Sequence, residues 1–218
     1  YKYYKGYVNL GNTGLIDVRT GTLQRFGTEE IAQSGTVRVA AGATFRNRTG
    51  TGSTLLGQDF TSSGTISGSG VLDVGEGYTL ANAGLVAPGD SAGMLTVTGN
   101  YSQAVSGTLA IEIGGATPGT QHDRLVVSGA AALGGTNAVV WTDGCVPSAG
   151  DTFTILAHGS KAGAFDLTVL PALPDGWWWE SAHESDALTL TVRAPAEATA
   201  KGTPLSWYAG YGLNPEGG

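Results

Sequence analysis

The sequence predicts an all-β chain wound into a β-solenoid, and three observations carry that reading. Glycine supplies 36 of the 218 residues, roughly one in six where about one in fourteen is usual. Short apolar stretches alternate with a period of two, as in Val37/Val39, Leu109/Ile111/Ile113 and Leu188/Leu190/Val192, which is the pattern of half-buried strands. The early stretches return at intervals of 21 and 23 residues, the length of a solenoid rung made of two or three short strands.

Taken in order, Gly14–Val18 opens the series and Gly35–Val39 repeats it. Gly70–Val74, Gly93–Val97, Gly107–Ile113, Asp123–Val127 and Gly135–Val140 continue it. Asp151–Leu156 and Ala187–Val192 close it. Threonine and charged residues fill the alternate positions, and β-branched threonine suits a strand surface. Gly11-Asn12-Thr13-Gly14, Gly50-Thr51-Gly52, Gly68-Ser69-Gly70 and Gly75-Glu76-Gly77 read as the corners between strands, because Gly and Asn accept turn conformations at low cost. Later intervals drift to 14 and 28 residues. A sandwich or jelly roll would also give short strands and glycine turns; the near-regular early spacing favours a helix of strands.

The expected organisation is a solenoid over residues 1–193, with an irregular C-terminal cap from about residue 150. Residues 194–202 change abruptly to small, polar, Pro-containing composition and read as a linker. Residues 203–218 read as a short C-terminal docking tail. No uninterrupted apolar run approaches the roughly 20 residues of a membrane-spanning helix. The start, Tyr1-Lys2-Tyr3-Tyr4-Lys5, is followed by no apolar stretch of the signal-peptide kind. The lone Cys145 has no intrachain partner for a disulfide and reads as a small, partly buried residue.

Charged residues are 13% and the net charge is −7, so phosphate backbones are repelled and nucleic-acid binding is not expected. Low charge with ample Val, Leu and Ile argues against disorder. Glycine does not fall at every third position, which excludes collagen.

Residues 85–101, read Leu-Val-Ala-Pro-Gly-Asp-Ser-Ala-Gly-Met-Leu-Thr-Val-Thr-Gly-Asn-Tyr, resemble the PG-x-S-x-G-x-L-x-V-x-G signature of autotransporter-type passenger regions of bacteria. Gly107–Gly115, Asp123–Gly129, Ala132–Thr136, Gly150–Leu156, Gly163–Asp166 and Leu173–Gly176 continue the likeness in order. It spans about residues 85–192, half the chain. The resemblance implies a right-handed parallel β-helix and an extracellular or cell-surface location. It implies nothing specific about activity. The family's membrane β-barrel has no counterpart within these 218 residues. Gly202–Leu213 resembles the C-terminal tails of exported proteins from Verrucomicrobia-like bacteria, without their Asp-rich calcium repeats.

Enzymes on this fold need clustered carboxylates. Only Glu29 and Glu30 are adjacent, and neighbours on a strand point to opposite faces. Asp17 and Asp73 look like equivalent rung positions, separated by Arg38. His122, His158 and His183 lack metal-type spacing and read as surface or turn residues. Gly89-Asp90-Ser91-Ala92-Gly93 has the letters of a nucleophile elbow, but the strand-to-helix context is missing, so it reads as a corner. No catalytic, cofactor or metal residue is expected, and no enzymatic activity. Trp177-Trp178-Trp179 is the most unusual feature. By alternation Trp177 and Trp179 share one face and cap the apolar core, and the alternative is contact with a glycan or partner. Tyr1, Tyr3 and Tyr4, which alternate with Lys at the N-terminus, and Trp207 and Tyr208 in the tail are the other candidate contact residues.

The resulting expectation is an extracellular structural or adhesive scaffold that self-associates through its terminal rungs or binds another surface protein, with no membrane insertion. If residues precede Tyr1, the solenoid continues; if not, the first rung is an open strand edge. A carbohydrate-binding or carbohydrate-active module is one alternative, and a stalk fragment of a larger secreted protein is another.

Overall fold

A computed structural model describes residues 11–26, 32–49 and 56–195. The chain winds as an all-β, right-handed parallel β-helix with three sheets. Each turn visits them in the same order. Sheet I stacks Leu15–Val18, Thr36–Val39, Thr65–Gly68, Leu85–Pro88, Thr108–Ile113, Thr136–Trp141 and Leu167–Val169. Sheet II stacks Thr22–Phe26, Thr44–Thr49, Val71–Asp73, Met94–Thr98, Arg124–Val127 and Thr152–Ala157. Sheet III stacks Ala32–Gln33, Phe60–Ser62, Thr79–Asn82, Asn100–Gln103, Ala130–Leu133 and Ser160–Gly163.

Alternation puts one set of side chains inside, and the parallel register stacks like on like. On sheet I the inner column runs Ile16, Val37, Ile66, Val86 and Leu109. On sheet II Phe45, Leu72, Val97 and Val127 align, and on sheet III Phe60, Leu80, Tyr101 and Ala131 do. All of these from Val37 onward are almost fully buried. The three columns meet in one continuous core, which is how a repeat that cannot bury its own apolar face becomes stable.

The repeat series read from the sequence mixed two sheets. Gly14–Val18, Gly35–Val39, Gly107–Ile113 and Gly135–Val140 lie on sheet I, whereas Val71–Asp73, Met94–Thr98, Arg124–Val127 and Thr152–Ala157 lie on sheet II. The interval of 14 between Gly93 and Gly107 is therefore a step from one sheet to the next, not a shortened rung. Measured between register partners on sheet I, successive turns take 21, 29, 20, 23, 28 and 31 residues. The excess is looped out at corners, as in Gly114–Gln121 and Thr142–Gly150.

Two columns lock the corner between sheets III and I. Gln33, Ser62, Asn82 and Gln103 align one above another and are buried although polar. Asn82 Oδ1 accepts from the Gly84 N–H at 3.1 Å, and Asn82 Nδ2 donates to the Thr108 carbonyl at 3.3 Å. Tyr101 Oη donates to Gln103 Oε1 at 2.6 Å, and Gln103 Nε2 donates to the carbonyls of Gly134 and Thr136 at 2.8 and 2.9 Å. The Asn82 and Gln103 amides satisfy corner backbone that would otherwise be buried without partners, whereas the Gln33 amide and Ser62 Oγ have no partner among the described residues. Beside them Gly14, Gly35, Gly64, Gly84, Gly107 and Gly135 each directly precede a strand of sheet I. The residue after each of the last five donates to the preceding glycine's carbonyl, at 2.7–2.9 Å. A Cβ on Gly64 would lie 2.0 Å from the Gly35 oxygen, so close stacking, more than torsional freedom, demands glycine here.

Ala187–Val192, read from the sequence as the last stretch of the repeat series, does not continue the parallel winding. Ala187–Arg193 joins sheet II antiparallel to Thr152–Ala157, and Trp178–His183 pairs antiparallel outside it. The chain reverses at Glu184–Ala187, and a tight reversal can only give an antiparallel neighbour, since a parallel one needs a full crossover. Of the expected linker only residues 194 and 195 are described. The rest of it and the docking tail over 203–218 lie outside the described residues.

Candidate functional site

Among the described residues charged side chains cluster on the outer faces of sheets I and II, apart from the Arg193–Glu180 pair of the terminal hairpin. On sheet I, Arg38 donates to Asp17 at 3.0 Å and also pairs with Asp90. The hydrogen bond from Arg19, then that from Arg38, holds the Asp17 carboxyl below the usual carboxylate range. On sheet II, Arg48 reaches both carboxylate oxygens of Asp73 at 2.6 Å and Arg46 reaches one at 2.9 Å. Asp17 and Asp73 are thus not equivalent rung positions. They lie on different sheets, each neutralised by its own arginines, and cannot form an acid–base pair. Glu29 and Glu30 lie outside the described residues.

Gly89–Gly93 is a corner between sheets I and II, as expected, and Asp123 from the next turn ties it down. Asp123 Oδ1 accepts from the Gly93 N–H at 2.8 Å and Oδ2 from the Glu112 N–H at 2.9 Å. Burial pushes this carboxyl up to about 7, against the pull of those two donors. The folded chain therefore keeps a proton between an ordinary carboxylate pKa of about 4 and about 7. That contribution to stability is full below the lower value and is lost as pH rises through the upper one. Burial first of all holds His122 below its ordinary value, so His122 acts with the opposite sign, favouring the fold as pH rises. The two are separated by comparing the protein with Asp123→Asn. The advantage of the wild type in melting temperature is expected to be larger at acid pH than at alkaline pH. A difference constant with pH would refute this role.

The histidines correct the sequence reading. His122 and His158 are buried, at 1% and 4% exposure; only His183 is at the surface. His122 is folded inward by the Gly114–Gln121 excursion, with Nδ1 3.0 Å from the Gly115 carbonyl and the ring edge-on to Phe153. Cys145 is partly buried and packs on the core. No group of three or more His, Cys, Asp or Glu that could hold a metal ion occurs among the described residues.

The tryptophan run divides by parity. Trp177 and Trp179 pack against the core, while Trp178 points the other way and is 50% exposed. Trp179 stacks on Trp141 with ring centroids 5.3 Å apart, and its Nε1 donates to the Pro171 carbonyl at 2.9 Å. Trp141 Nε1 likewise donates to the Ala172 carbonyl at 3.1 Å. Two indoles and Phe153 thus close this end of the core. Tyr1, Tyr3, Tyr4, Trp207 and Tyr208 lie outside the described residues.

Beside the indoles the end is not fully closed. The sheet I column that runs Val37, Ile66, Val86, Leu109 continues with Asn137 and then Thr168. Opposite, cross-strand pairing sets Ser181 beside Leu190 and His183 beside Leu188 on the core side of the terminal hairpin. These residues, with Ala164 and Phe165, line a crevice of about 50 Å³. The sequence reading missed Asn137, although alternation through Thr136–Trp141 already puts it on the same side as Val139.

No family model matches the chain, and no curated protein does. Fold and site geometry therefore carry the functional reading.

Proposed function

We propose that this chain is a rigid extracellular scaffold of a bacterial surface, without catalytic activity of its own, that associates end to end with further copies or with another surface protein. The observation that carries it is the stacked parallel pairing that runs through all three sheets as far as the terminal hairpin, tied at one corner by the glycine and amide columns. Strands spaced about 4.8 Å apart and hydrogen-bonded along the axis on three faces make a stiff column with little freedom to bend. Among the described residues nothing pairs with the outer side of Leu15–Val18 or of Leu167–Val169, and Leu15 and Leu167 are 64% and 55% exposed. Unpaired edges with apolar side chains are templates for another strand, and head-to-tail pairing of this kind is open-ended.

Sedimentation and electron microscopy of the purified chain at rising concentration test the reading. End-to-end oligomers or fibres are expected. A strictly monomeric particle at the highest concentration would sink the self-association.

A further inference from the structure

We infer that the crevice at the C-terminal end is a binding subsite for a neutral amide-bearing substituent, the acetamido group of an N-acetylated amino sugar. Polar side chains gather where the sheet I column ends. Asn137 interrupts an apolar column on sheet I and Thr168 follows it. Ser181 and His183, both exposed, lie on the face that Leu190 and Leu188 share on the outermost strands of the cap. Of these polar residues Asn137 alone is buried. Asn137 is 0% exposed, and neither its Nδ2 nor its Oδ1 has a hydrogen-bond partner among the described residues. A buried carboxamide with both ends unmatched is costly and calls for a partner.

The chemistry of that partner follows from the walls. The carboxamide presents one donor and one acceptor side by side, which another amide matches with its own C=O and N–H. Leu188, Leu190 and Phe165 form an apolar wall that suits a methyl group. No carboxylate, ammonium or guanidinium lines the crevice, and burial, then the nearby Lys161 and His158, holds His183 below its ordinary value and so uncharged at neutral pH. The occupant is therefore neutral. The volume of about 50 Å³ is a third of the roughly 150 Å³ that accommodates a benzene ring. It takes a substituent and leaves the ring that bears it outside. Thr168, Ser181 and His183 stand around the carboxamide as further hydrogen-bonding groups, which favours a hydroxyl-rich saccharide over a peptide side chain.

The probe is a β-linked trisaccharide of N-acetylglucosamine, titrated by calorimetry and by methyl shifts of Leu188 and Leu190. Its de-N-acetylated counterpart and an Asn-containing tripeptide serve as comparisons. Binding of the acetylated sugar alone is expected. It should weaken at least about tenfold in Asn137→Leu and in Ser181→Ala. Asn137→Leu restores the apolar column, so its melting temperature should hold or rise, which separates lost binding from lost folding. No binding, equal binding of the de-acetylated sugar, or unchanged affinity in folded Asn137→Leu would each overturn the subsite. Equal or tighter binding of the tripeptide would overturn its assignment to a saccharide. None of these outcomes bears on whether the column self-associates.

Discussion

Gly64→Ala is expected to cost about 3 kcal/mol of folding stability or more, at the upper end of what overpacking produces. The added carbon would sit 2.0 Å from the Gly35 oxygen and 2.5 Å from the Ser34 carbonyl carbon. Both obstacles are backbone, so no side-chain rotation relieves them. The two turns must part, and the bond from Leu85 N–H to the Gly64 carbonyl at 2.9 Å is strained from the other side. Gly11→Ala is the control. Among the described residues nothing lies within 4 Å of its added carbon, and a change within about 0.5 kcal/mol is expected. Urea denaturation measures both. Equal effects at the two sites would show that close stacking does not set the cost.

Trp179→Ala is expected to destabilise by about 3 kcal/mol, the lower end for losing a large aromatic because the ring is only partly buried. It removes the stack on Trp141, the contact with Phe153 at 6.0 Å between centroids, and the hydrogen bond to Pro171. Trp178→Ala should be nearly silent, within about 0.5 kcal/mol, since that ring is half exposed on the other face. Thermal melts of the two variants decide the matter. A loss in Trp178→Ala as large as in Trp179→Ala would contradict the capping role of the run.

These two sites mark what the sequence showed and what it hid. Strand parity was legible: Leu109/Ile111/Ile113 and Leu188/Leu190/Val192 are inside as alternation requires, and so is the split of the tryptophans. Which sheet a strand joins was not legible, because a period of two separates inside from outside and says nothing about which of three walls is being built. Gly70 and Gly93 were therefore grouped with Gly14 and Gly35. A glycine directly before a strand does not separate the sheets either, since Gly70 and Gly93 precede Val71–Asp73 and Met94–Thr98 of sheet II just as Gly14 and Gly35 precede strands of sheet I. The burial of His122 could not be read either, since it depends on where a loop of variable length folds back. Asn137 lay in plain view, but an amide on a strand reads as a surface residue until its register partners, Leu109 and Thr168, are known. The ion pairs of Arg38 and Arg48 arise from residues 21 to 52 positions apart, joined only by the winding.

The unequal turns have a mechanical consequence. Under tension between its ends, a parallel column can open one turn at a time, because each turn is held only by its two neighbours. A turn of 20 residues and one of 31 would pay out about 70 and 105 Å of extended chain respectively. The antiparallel terminal hairpin opens differently, as a single strand pair joined by a short reversal. A force–extension trace would therefore be a barcode of the winding, with one step per turn and a step length for each corner loop.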